Sequence, residues 1–212
     1  MDRPGHQGRD DLTSGGDAVR AGLRISAVSL LWTLAVGGSS VAIGISAGSL
    51  AVVAFGATGL LDAVGSASLV LQFRHARKRG TPSHRFETAT LRVVTVGLAV
   101  TALATAALAI SRLANHGGTH SAAAGVAISV ASIAVLLLLA AGKRRIAPRI
   151  PSHALYADSW VSAVGAALAV VAAVGVALRD SLGWWWADPV AALVVGTGAI
   201  CLSIWLLRHS QV

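Results

Sequence analysis

Six apolar runs alternate with short polar or basic breaks along this chain. They are read at about Leu23 to Ile45, Ser49 to Phe73, Thr88 to Leu113, Ala122 to Ala141, Ser152 to Leu178 and Ala187 to Leu207. Each is long enough to cross the roughly 30 Å hydrocarbon core of a bilayer as a helix. The second run, SLAVVAFGATGLLDAVGSASLVLQF, carries Asp62 in its middle. On insertion scales a carboxylate near a helix centre costs roughly 2.5 to 3.5 kcal/mol. A plain anchor helix returns nothing for that cost, so Asp62 calls for partners elsewhere in the chain.

The breaks between runs give the topology. Ser46, Ala47 and Gly48 leave room only for a tight turn, so the second run returns antiparallel to the first. Gly37, Gly38, Ser39, Ser40 and Gly44 supply the first run with small residues suited to close helix packing. The loop from 74 to 87 holds Arg74, Arg77, Lys78, Arg79 and Arg85, whereas the link from 115 to 121 has no Lys or Arg. Lys143, Arg144, Arg145 and Arg149 close the fourth run, Pro148 and Pro151 stop its continuation, and Arg208 and His209 follow the sixth. Basic residues collect on the cytoplasmic side. The expectation is an all-α membrane protein of six transmembrane helices with both termini cytoplasmic, multi-pass in the cell inner (plasma) membrane. Trp184, Trp185 and Trp186 suit an aromatic belt at the outer interface. Residues 1–20 read as a disordered cytoplasmic tail without the apolar core of a signal peptide, and 21–209 as one six-helix transmembrane domain.

Composition narrows the classes further. The chain is 55% hydrophobic and 12% charged, against roughly a quarter charged in soluble domains. Its net charge of +8 comes from bases at the ends of apolar runs, which accounts for the charge without a nucleic-acid partner. Cys201 is the single cysteine, so an intrachain disulfide and a cysteine metal cluster are both excluded. No nucleophile, base and orienting group stand at recognisable spacing, so an enzyme is not expected, nor a bound prosthetic group. His6 lies in the polar tail and has no assigned role. His116 and His120 stand four apart, but Gly117 and Gly118 between them favour a solvated loop over a weak external metal site.

Three acids lie in or against the apolar runs. Asp188 opens the sixth in WWWADPV, where Asp before Pro makes a good helix start with the carboxylate capping free N–H groups. Asp158 lies about two turns inside the fifth, with Ser162 and Gly165 following on its face. It either interacts with its own helix N-terminus, pairs with a basic loop residue such as Arg149, or lines a pathway. Asp62 has Thr58 one turn earlier, with Gly59 and Ser66 nearby. It is either a protonated carboxyl bonded between helices or an acid facing a polar cavity, and its cost favours the cavity.

With SLAVVAFGATGLLDAVGSASLVL on the second run, HALYADSWVSAVGAAL on the fifth and GWWWADPVAAL opening the sixth, the chain resembles the membrane half of the cation diffusion facilitator family. The resemblance covers about residues 20 to 208. The GWWWADP string resembles a short bacterial branch usually labelled cation transporter, which lacks the cytoplasmic C-terminal domain. The resemblance implies exchange of a divalent metal, commonly zinc, for protons by alternating access. It also implies two ligands four apart on the second helix and two four apart on the fifth. Those positions fall here at Thr58 and Asp62, then Val161 and Gly165, of which Asp62 alone is a proper ligand. Asp158 matches an acid three residues before the first fifth-helix ligand. The metal candidates are therefore Asp62, Asp158 and Thr58, with Ser162 or His153 as further polar groups.

Three accounts follow from that departure. The protein carries a cation through a rearranged polar site; it keeps the fold as a transport-inactive interaction partner; or it moves another solute with Asp62 as the proton carrier. The first ranks highest, with zinc-like efflux coupled to protons as its concrete form. The partners it implies are the lipid bilayer, a divalent cation and the proton, with a homodimer left open.

Overall fold

A backbone in hydrocarbon has no water to bond, so each apolar run must satisfy its amides within itself, and a helix does this. The computed structural model describes residues 7–79, 84–115, 123–149 and 153–209. Among them the elements are α1 (Gln7–Ala47), α2 (Leu50–Arg79), α3 (His84–Asn115), α4 (Ala123–Ile146), α5 (His153–Leu182) and α6 (Ala187–His209). A 3-10 turn, Ala147–Arg149, extends α4. Every regular element among the described residues is helical. Six segments are long and apolar enough to span a membrane: Arg20–Ala47, Leu50–Leu71, Thr95–Asn115, Ala123–Ile146, Asp158–Leu182 and Ala187–Trp205.

Several helices outrun their apolar part. α1 is continuous from Gln7 through the span that starts at Arg20. Much of the basic stretch expected as a loop is helix as well, with α2 running to Arg79 and α3 starting at His84. Lys, Arg and Glu are good helix formers, and a helix does not need an apolar face once it leaves the bilayer.

The hairpin of α1 and α2 is set by one glycine at its turn and by several along its length. Gly48 adopts a φ of 69°, which L side chains avoid. Its N–H donates to the Ile45 carbonyl at 3.1 Å, and Ser49 N–H donates to the Gly44 carbonyl at 2.8 Å. This paired closure satisfies the last carbonyls of α1 and reverses the chain in two residues. Beyond the turn the two backbones nearly touch. A Cβ placed on Gly56 would lie 2.7 Å from both the Gly37 carbonyl oxygen and the Val41 nitrogen, and one on Gly44 would lie 2.7 Å from the Val53 nitrogen. Gly37, Ser40 and Gly44 thus make the packing face, whereas Gly38 and Ser39 are exposed.

The main core is built mostly of small side chains: Ala51, Ala54, Ala109, Ala169, Ala172, Ala191 and Ala192, with Leu50, Phe55, Leu168 and Val195. It lies towards the end of the bundle where α2 and α6 begin. The large apolar residues point the other way. Leu31, Ile45, Leu103 and Leu138 are each at least two-thirds exposed, as expected where lipid is the solvent. The bundle is small and partly polar inside, large and apolar outside.

Candidate functional site

The polar interior is written on one face of each inner helix. On α4 the buried positions are Gly125, Ser129, Ser132, Leu136, Leu139, Ala140 and Lys143. They recur at intervals of three and four, so Lys143 continues the inward face. Its side chain is fully buried. Arg144 and Arg145 are rotated away and exposed, and the Arg144 guanidinium sits 4.0 Å over the Trp160 ring. In the sequence Lys143 stands with them as a base closing the fourth run. The structure separates it from the cluster and turns it into the bundle.

Lys143 Nζ meets Asp158 Oδ2 of α5 at 2.5 Å in an ion pair that is 0% exposed on one side and 7% on the other. It donates to Ser29 Oγ of α1 at 2.8 Å and to Ser162 Oγ of α5 at 2.8 Å. The ammonium thus gives two N–H groups to hydroxyls and faces the carboxylate as an ion pair. Ser162 Oγ in turn donates to the Asp158 carbonyl at 3.2 Å. Oδ2 has no hydrogen-bond partner among the described residues. Burying two charges is unfavourable unless each is paired and bonded; here the two charges pair with each other and two hydroxyls bond the ammonium.

Asp62, on α2, is partly buried and close enough for the charges of both Asp158 and Lys143 to act on it. It makes no direct hydrogen bond or ion pair among the described residues, whereas Asp158 has Lys143 as its ion-pair partner. Thr58 is buried one turn away and donates its hydroxyl to the Ala54 carbonyl at 2.8 Å, which leaves its oxygen lone pairs unspent. Ser66, one turn on the other side, is fully buried with an Oγ that has no hydrogen-bond partner. Val161 and Gly165 are partly buried on α5, and neither brings a donor. No cluster of three or more His, Cys, Asp or Glu side chains occurs among the described residues. An ion at Asp62 would therefore find carboxylate and hydroxyl oxygens and would keep part of its water.

A basic partner of Asp158 is Lys143; the side chain of Arg149, the loop residue raised from the sequence, is outside the described residues. His153 lies at the start of α5, but its side chain is outside the described residues, as are His116 and His120 altogether. Three residues of the interior were missed from the sequence: Lys143, Ser29 and Arg112. The signal for Lys143 was available, since it continues the spacing of Ser129, Ser132, Leu136 and Leu139. Ser29 belongs to a similar series, with Ser26 and Thr33, that is buried on α1.

Asp188 works at the opposite end of the bundle. Its carboxylate is fully buried, and it caps α2 rather than its own helix. Ser49 Oγ donates to Oδ1, Leu50 N–H to Oδ2 at 2.9 Å, and Ala51 N–H to Oδ1 at 3.3 Å. The first amides of α2 carry the positive end of the helix dipole, which favours an anion there. Arg112, near the end of α3, donates to the Gly48 carbonyl beside them.

The fold and interior define a multi-pass membrane protein of six spans with a charged, hydrogen-bonded centre. Residues 26–211 match the cation efflux transmembrane domain, and the chain belongs to that family. It is 32% identical over 197 residues to an uncharacterized transporter from Synechocystis sp., an alignment that takes in 84% of this chain and 61% of that protein. The chain thus spans about three-fifths of the length of that relative.

Proposed function

We propose that this chain carries a divalent, zinc-like cation out across the cell inner membrane in exchange for protons, through a polar site centred on Asp62. The observation that carries this reading is an acid on α2, Asp62, within electrostatic reach of the buried Asp158–Lys143 pair of α5 and α4, inside a six-helix membrane bundle. Ionisable side chains at that depth are costly and mark ion pathways. Asp62 holds the cation, Thr58 adds a hydroxyl oxygen from the same face, and Asp158 supplies the second carboxylate. Family membership and the similarity to a transporter support the class of activity. A site of oxygens and retained water binds weakly, which suits a group that must also release its cargo. Asp62 is the group that carries the proton back. The test is flux in proteoliposomes across a panel of divalent metals. Cation uptake into the lumen, accompanied by opposite proton movement, is expected from wild-type protein, and Asp62→Asn should abolish it. Flux untouched by Asp62→Asn would overturn the reading.

One observation favours a second reading, a transport-inactive interaction protein that keeps the fold. The Lys143 ammonium satisfies Asp158 without any external ion. Under that reading wild-type and Asp62→Asn vesicles are equally tight to every metal.

A further inference from the structure

Around Lys143 Nζ gather the kinds of oxygen that also bind cations. One carboxylate and two hydroxyls, drawn from α1 and α5, lie at 2.5 to 2.8 Å, and water is excluded. The charge at the centre of this shell arrives on a side chain of α4. We propose that Lys143 is a tethered cation, which occupies the Asp158 half of the site and competes there with any mobile cation. The proposal rests on Asp62 and Asp158 as the cation-binding pair, and it holds whether or not the cation is moved across the membrane.

The charges set the consequence. With both carboxylates ionised, Asp62, Asp158 and Lys143 sum to a single negative charge. A divalent ion shared between the two carboxylates would leave an uncompensated positive charge in a buried place if the ammonium stayed, and such a charge is strongly unfavourable. An ion at Asp62 alone leaves the same excess of one positive charge at its partly exposed edge, so sharing both carboxylates requires that the ion displace Lys143 from Asp158. Asp62 has room for this first contact, being partly exposed and without a direct partner. Lys143 has the means to withdraw, since a four-carbon stem carries its charge and Ser29 and Ser162 bind it only through hydroxyls. In this arrangement Lys143 sets how tightly a divalent cation is held, by contesting one of its two anionic ligands.

The experiment compares thermal unfolding of the purified full chain in detergent with added zinc, cobalt, manganese or magnesium chloride. Lys143→Met keeps the length of the side chain and removes the charge. Its unfolding temperature should rise saturably with at least one of these metals, at a half-saturating concentration about ten-fold or more below that of wild type. Adding Asp158→Asn to Lys143→Met should remove the gain while restoring stability in metal-free buffer, because no buried charge is then left unpaired. If Lys143→Met does not fold alone, metal present from solubilisation onward should recover it. A folded Lys143→Met protein whose response to every metal equals that of wild type overturns the proposal. So does a Lys143→Met protein that no metal recovers, and so does a double variant that keeps the gain. Wild-type vesicles that pass no cation would sink the transport reading but would leave the binding result as it stands.

Discussion

Three donors from the start of α2 converge on the Asp188 carboxylate, and water does not reach it. Asp188→Ala would strand a serine hydroxyl and two backbone amides in a buried place. The expected loss is about 3 kcal/mol, since each unsatisfied buried donor costs roughly 1 to 3 kcal/mol and the turn relaxes in part. Asp188→Asn keeps an acceptor and should lose about half as much. Thermal unfolding in detergent reads both, and an Ala variant as stable as wild type would show that the cap is dispensable. This residue also shows what the sequence could not say. Asp before Pro announced a cap at the sixth run, but the helix being capped begins 138 residues away in sequence from that acid. Asp62 was legible, because its cost stands out in any apolar run. The spacing that marks Lys143 is masked by Arg144 and Arg145 beside it, which make one charged cluster of three residues that face different ways.

Helix pairs in this bundle meet through whatever lets the backbones come near. For α1 and α2 that is the contact of Gly37 with Gly56, where carbonyl and amide lie within reach of any added methyl group. Backbone cannot step aside as a flexible side chain can. Gly56→Ala should therefore destabilise the protein by about 1 to 3 kcal/mol, as overpacking does. Gly38→Ala meets nothing within 4 Å and should be neutral within about 0.5 kcal/mol. Unfolding midpoints of the two variants provide the check, and equal midpoints would contradict the packing described here. The small residues of the first run announced a close face in the sequence. Which of the five candidates between Gly37 and Gly44 form it follows only from the helical phase of the partner, and nothing in the sequence singles out Gly56.

At the scale of the whole molecule the order and number of spans were legible, since six runs of lipid length leave little choice. The extension of α2 and α3 beyond the bilayer was not, because hydropathy reports the solvent and not the helix. The placement of Lys and Arg carries a further expectation, that both termini face the cytoplasm. In a Cys201→Ser background, cysteines at Gly118 and Ser181 should react with an impermeant thiol reagent applied to intact cells. A cysteine at Gly80 should stay unlabelled until the cells are opened. Labelling of Gly80→Cys from outside would reverse the orientation. Arg112 breaks the same charge rule by standing at the poorly basic end, and its donation to the Gly48 carbonyl accounts for it.

The grip of Asp188 on the first turn of α2 makes that end a fulcrum. Asp62 stands 12 residues along the helix from Leu50, a lever arm of about 18 Å at 1.5 Å per residue. A tilt of α2 by about 10° around the pinned turn would swing Asp62 through about 3 Å. That sweep is as long as the contacts that hold Lys143. A small rotation at one end of the bundle is thus geared to a whole bond length at its centre.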